Sequence, residues 1–169
     1  MLIFGYGSNM LLQKLKVNVP SARKIANAYL GGYVFSFNKV SKKDGSAKGN
    51  ITWTGNAEKV VWGVVFEISE RDKAALDREE GLGNGYNEIT VSVITDKKET
   101  MEVLVYIADK SAIQQNLLPF DWYRDMVVTG AETNGLPESY IEDLKNFAFI
   151  KDNDETRRNL KYKIIEAED

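Results

Sequence analysis

The chain contains neither cysteine nor histidine in its 169 residues. The first absence removes disulfides and thiol nucleophiles, and the two together remove the usual zinc sites and every imidazole-based triad. Proline is scarce, at 3 residues, and no apolar run approaches the length of a membrane span. An excess of one charge is also missing. The 22 Lys and Arg against 25 Asp and Glu leave a net −3, which offers no electrostatic footprint for nucleic acid or an anionic membrane. No Asp-x-Asp-x-Asp-Gly pattern marks a calcium loop, and the amino end lacks the charged start and apolar stretch of a secretory signal. The expectation is a cytoplasmic protein whose chemistry runs on carboxylates, hydroxyls, amines and backbone dipoles.

What is present is ordinary in bulk and particular in detail. With 43% hydrophobic and 28% charged residues, the chain has the composition of a globular protein and the length of one domain. Strand-like runs cover Ile25 to Leu30 and Tyr33 to Val40, with Gly31-Gly32 between them as a hairpin signal. Ser41 to Lys48 reads as a charged, mobile loop and Ile51 to Thr54 as a short strand. Val60 to Ile68, β-branched and aromatic almost throughout, reads as a central strand buried on both faces. Tyr86 to Thr95 and Glu99 to Ala108 alternate as two more strands around Asp96-Lys97-Lys98. Helices are expected over Ser69 to Glu80, over Asp121 to Glu132 with Asn134-Gly135 as its stop, and from Pro137 as the first helical residue. The fold class is α+β, a mixed, curved or barrel-like sheet with helices outside. Residues 1–150 form the domain and 151–169 a peripheral segment, a helix or a frayed tail.

The segment Phe4-Gly5-Tyr6-Gly7-Ser8-Asn9-Met10 carries the densest information. A short strand, Leu2-Ile3-Phe4, runs into a glycine turn, then a polar pair, then the apolar run Met10, Leu11, Leu12, Leu15. Glycines let backbone approach a ligand closely, and unpaired N–H groups at a helix start favour an anion, so a small carboxylate-bearing ligand fits. The competing reading is a plain tight turn with Ser8 or Asn9 as helix cap. The segment is neither a dinucleotide fingerprint nor a phosphate loop.

A second feature is a carboxylate on a core-facing side. Leu76 is the large apolar residue of the helix begun at Ser69, and Glu80 lies four positions on, over the same face. Glu79, three positions from Leu76, is the alternative. Partial burial and the negative end of a helix both oppose charge on a carboxyl placed there, the environment a general base near neutral pH requires. The loop Gly81-Leu82-Gly83-Asn84-Gly85-Tyr86 follows and would let a substrate approach.

Four motifs together resemble the gamma-glutamylcyclotransferase family, with its butirosin-biosynthesis-protein-like fold: Tyr6-Gly7-Ser8-Asn9-Met10-Leu11, Val61-Trp62-Gly63-Val64-Val65, Leu76-Asp77-Arg78-Glu79-Glu80-Gly81, and Tyr123 followed by Gly130-Ala131-Glu132-Thr133-Asn134-Gly135-Leu136-Pro137. Asn18-Val19-Pro20-Ser21-Ala22 adds to them, and the resemblance extends from residue 2 to about 147. It implies a mixed-sheet barrel with Glu80 as the catalytic acid and base. Substrate contacts are implied along the backbone of Ile3, Phe4, Gly5, Tyr6, Gly7 and Ser8, with Asn9 completing the turn, at Tyr123, and less directly at Tyr86. The implied reaction is cyclisation of a γ-glutamyl amino acid to 5-oxoproline, which needs no metal and no cofactor. The partner is a small γ-glutamyl substrate, and the oligomeric state stays open between monomer and homodimer. Alternatives are a γ-glutamylamine cyclotransferase, a glutathione-degrading cyclotransferase, and a non-catalytic carboxylate-binding module of the same fold.

Overall fold

The computed structural model describes residues 1–167. Five strands close into a barrel in the order β1 (Leu2–Gly5), β5 (Val60–Glu67), β2 (Arg23–Gly31), β6 (Tyr86–Thr95) and β7 (Thr100–Ala108). Neighbours are antiparallel except at the seam, where β1 runs parallel to β7 and Ile3 stands opposite Leu104. β5 is the spine: it pairs with β1 on one side and β2 on the other, and its central residues are buried on both faces. Period-two alternation sorts the strands into two cores. Phe4, Ala28, Leu30, Val61, Val65, Val93, Val103 and Val105 form one. Ile3, Val64 and Phe66 point the other way, into a core completed by the helices.

Outside the barrel, β3 (Tyr33–Val40) and β4 (Ala47–Trp53) form a separate two-stranded sheet. The hairpin expected at Gly31-Gly32 does not form, because β2 pairs with β5 and β6 while β3 turns away to β4. Gly32 takes φ +83° and its α-carbon lies against the Trp53 ring, where any side chain would clash, so the glycines serve a crossing between sheets. The stretch read as a mobile loop is a tied turn. The Asp44 carboxylate accepts from Ser46 N–H at 3.0 Å and from Lys48 Nζ at 2.9 Å, and the strand begins at Ala47, ahead of the expected Ile51.

The helices are α1 (Leu12–Lys16), α2 (Glu70–Glu80), α3 (Asp121–Thr133), α4 (Glu138–Lys145) and α5 (Glu155–Glu166). Ser69 caps α2 by accepting from Arg71 N–H, and Gly81 ends it in the left-handed region at φ 70°. Pro137 stands one place before α4 and outside it. α5 is pinned at its start: buried Asp152 accepts from Arg157 through two bonds of 2.6 Å and from Trp122 Nε1 at 2.8 Å, while Arg158 donates to Asp121 at 2.7 Å. Among the described residues no helix is long and apolar enough to cross a membrane.

Candidate active site

Two close approaches put the amino-terminal turn in place. Gly63 of β5 lies so near β1 that a Cβ there would sit 2.4 Å from the Gly5 carbonyl oxygen. Gly130 of α3 does the same for the 3₁₀ turn Ser8–Met10, where a Cβ would meet the Leu11 nitrogen at 2.8 Å. Asn134 Nδ2 closes the contact by donating to the Met10 carbonyl at 2.8 Å. Neither Ser8 nor Asn9 caps a helix; the residues at the helix-starting positions are Gly7 and Leu11, without side-chain capping bonds. Asn9 instead spans 71 residues of sequence to donate from Nδ2 to Glu80 Oε1 at 2.7 Å. Lys14 Nζ holds the other end of the amide, donating to Asn9 Oδ1 at 2.6 Å.

These elements enclose a bowl of about 40 Å³ lined by Phe4, Gly5, Tyr6, Gly7, Ser8, Asn9, Gly49, Glu80, Tyr86, Tyr106 and Tyr123. Its walls are four buried tyrosines and one carboxylate. Tyr6 OH donates to the Tyr106 carbonyl and Tyr86 OH to the Gly49 carbonyl, each at 2.6 Å. Tyr123 OH accepts from Gly49 N–H at 3.1 Å, so Gly49 of β4 is held by two tyrosines at once. Burial, aided by the negative charge of Glu80, holds the Tyr6 and Tyr86 hydroxyls well above the ordinary phenol value. Tyr123 is pushed up to about 12 by burial, partly offset by its bonds to Gly49 N–H and Ser8. All three phenols therefore remain neutral through the physiological range. The bowl opens into a wider cleft of about 560 Å³ that shares Ser8, Glu80, Tyr86 and Tyr123 with it.

A model of the AIG2-like family matches residues 60–144. Human gamma-glutamylcyclotransferase is 30% identical over 152 residues, a match spanning 85% of this chain and 77% of the human protein. The chain belongs to the gamma-glutamylcyclotransferase family. The bovine gamma-glutamylcyclotransferase is 29% identical over 86% of the chain and 77% of its own length. A solved gamma-glutamyl cyclotransferase structure superimposes with a TM-score of 0.85 at 26% identity, covering 96% of this chain and 98% of the other. The barrel with external helices is thus the fold of this family.

Of the residues singled out from sequence, Phe4 through Asn9, Glu80, Tyr86 and Tyr123 meet at the bowl. Ile3 is not among the residues lining the bowl, and its side chain is buried in the core shared with the helices. Glu79 lines the wider cleft and pairs with Lys43 at 3.2 Å. Sequence reading passed over Tyr106, Gly49 and Lys14. Tyr106 and Gly49 are single positions within strands; barrel pairing brings Tyr106 to the turn, and hydrogen bonds to Tyr86 and Tyr123 hold Gly49 there. Lys14, five residues beyond Asn9, carried no signal that sets it apart from the other lysines.

Proposed function

We propose that this family member is a gamma-glutamylcyclotransferase that converts a γ-glutamyl amino acid into 5-oxoproline and the free amino acid, in the cytoplasm and without nucleic-acid or membrane partners. The observation that carries the reading is Glu80, a carboxylate held by Asn9 at the rim of a tyrosine-walled bowl.

In a γ-glutamyl amide the α-amine and the γ-carbonyl belong to the same residue. Ring closure therefore needs no external nucleophile, only a bent conformer and proton management. The glutamyl α-carboxylate enters against the backbone of Gly5 to Asn9, where glycines leave the main chain open to approach. The Glu80 carboxylate takes a proton from the α-ammonium. The freed amine lone pair attacks the γ-carbonyl carbon, and the C=O electron pair moves to oxygen. Neutral hydroxyl and backbone donors around the bowl stabilise that oxyanion. Protonated Glu80 then delivers its proton to the amide nitrogen, and the oxyanion reforms the carbonyl as the C–N bond breaks. The ring nitrogen passes its second proton through Glu80 to the departing amine, so that neutral 5-oxoproline and an ammonium leave. One carboxylate serves all of these transfers. Ser8 has no base to activate it and acts as a hydrogen-bonding residue through Tyr123.

The test is incubation with γ-glutamyl-alanine in oxygen-labelled water. The expected products are alanine and unlabelled 5-oxoproline. Labelled glutamate would instead mean hydrolysis and overturn the cyclisation.

A further inference from the structure

The wider cleft carries a charge balance opposite to that of the molecule. The chain is net −3, yet this cleft is lined by 8 Lys and Arg side chains against 3 carboxylates. Some of the cations are already partnered: Lys48 by Asp44 at 2.9 Å, Lys43 by Glu79 at 3.2 Å, and Arg157 by Asp152 at 2.6 Å. Lys39 and Lys161 have no carboxylate partner among the described residues. Each rests on an aromatic face instead, Lys39 at 4.6 Å from the Tyr86 ring centre and Lys161 at 5.3 Å from that of Trp122. Burial holds both amines below the ordinary lysine value. Like-charged neighbours add to it, Lys42 and Lys43 acting on Lys39, and Lys14 and Lys43 on Lys161, against a partial offset from nearby carboxylates. Crowded, half-buried ammonium groups repel one another, and the fold keeps that repulsion beside the bowl. An anion seated between them relieves it.

The released part of a simple γ-glutamyl dipeptide brings one carboxylate, and one cation answers it. The cleft offers at least two and has far more room than the bowl, about 560 Å³ against 40 Å³. We propose that this cleft selects γ-glutamyl peptides whose released portion carries two or more carboxylates, an acidic amino acid or a short γ-linked glutamate chain. The inference rests on the cyclotransferase reading above and names the leaving group of that same site. Lys39, lying on Tyr86 at the mouth of the bowl, receives the carboxylate nearest the cleaved amide. Lys161, brought by α5, receives the outer one. The bonds made and broken are unchanged; only the leaving amine is specified.

The experiment compares kcat/KM for γ-glutamyl-alanine and γ-glutamyl-glutamate, following 5-oxoproline. The expected ratio favours the acidic peptide by roughly tenfold at low salt and shrinks several-fold as ionic strength is raised toward molar. In Lys161→Gln and in Lys39→Gln the ratio falls toward one through KM for the acidic peptide, whereas Lys161→Arg retains it. The salt arm uses the unaltered protein, so a variant that folds poorly does not remove the test. Turnover of γ-glutamyl-alanine with no preference for the acidic peptide overturns this proposal and leaves the cyclotransferase reading intact. Turnover of neither peptide overturns both.

Discussion

Asn9 stands between two charges, taking a bond from Lys14 Nζ on its oxygen and giving one from its nitrogen to Glu80 Oε1. The lysine decides which way the amide faces, because an ammonium can only donate. The nitrogen is then committed to Glu80, which fixes the carboxylate at the rim of the bowl. Asn9→Ala removes that tether; a bond to a charged group is worth about 1.5–3 kcal/mol, so kcat is expected to fall ~10–100-fold with little change in KM. Steady-state kinetics on γ-glutamyl-alanine check it, and an unchanged kcat would remove Asn9 from the positioning of Glu80. The neighbouring phenol gives a pH prediction. Tyr123, pushed up to about 12, keeps its proton through pH 10, so Tyr123→Phe is expected to leave the alkaline side of the rate profile unchanged in shape. A displaced alkaline limb in that variant would contradict it.

At the scale of elements, the site depends on how closely β1 and its turn are approached from behind. Gly63→Ala places a methyl 2.4 Å from the Gly5 carbonyl, a distance the backbone must open to relieve. Overpacking of this kind costs about 1–3 kcal/mol and here displaces the bowl itself, so thermal melting and activity are expected to drop together. A variant that melts lower with full activity would show that the turn tolerates movement.

The helix α5 rests on a different device. Arg157 first, then Asp154 N–H and Trp122, hold the Asp152 carboxyl down at about 2, against the opposing effect of its burial. A folded value below the unfolded one means this contribution is present above about pH 4 and is lost as pH falls toward 2. Asp152→Ala is expected to destabilise by about 2 kcal/mol at neutral pH, and the gap in melting temperature from the parent should narrow at pH 3. A constant gap across that range would assign the loss to packing.

Several elements were legible in the sequence for physical reasons. β5 announced itself by a nearly continuous run of β-branched and aromatic residues, and α2 by Ser69 at one end and Gly81 at the other. Glu80 was readable because its spacing from Leu76 is helical, and a helix carries that geometry locally. The pairing of β3 with β4 rather than β2 was not, since glycine pairs allow both a hairpin and a crossing and the choice rests on the long-range pairing of β2 with β5 and β6. Nor was the tied turn at Asp44, whose lysine partner reads as one more solvated charge until the fold buries it.

Across the whole molecule, the site needs the barrel, the outer sheet and α3 together. The turn after β1, the end of α2, Gly49 of the outer sheet and Tyr123 of α3 are far apart in sequence. The barrel places the turn and Tyr86, and hydrogen bonds from Gly49 to Tyr86 and Tyr123 join the outer sheet and α3 to the same bowl. The motifs taken together already implied that the turn, Glu80 and Tyr123 share one site, whereas the geometry of their meeting, and residues such as Tyr106 that merely face it, show only in the fold. The same packing sets half-buried Glu80 beside Asn9 and the buried tyrosines, a setting that no isolated helix provides. The most direct test is the turnover of γ-glutamyl-alanine by Glu80→Gln, a substitution that keeps the side chain's shape and its place beside Asn9. A loss of 5-oxoproline formation by about 10²–10⁴-fold is predicted, the usual weight of a general acid and base, with substrate still bound in a direct binding assay. Turnover within a few-fold of the parent would mean that another group moves the protons, and the account of this site would be wrong.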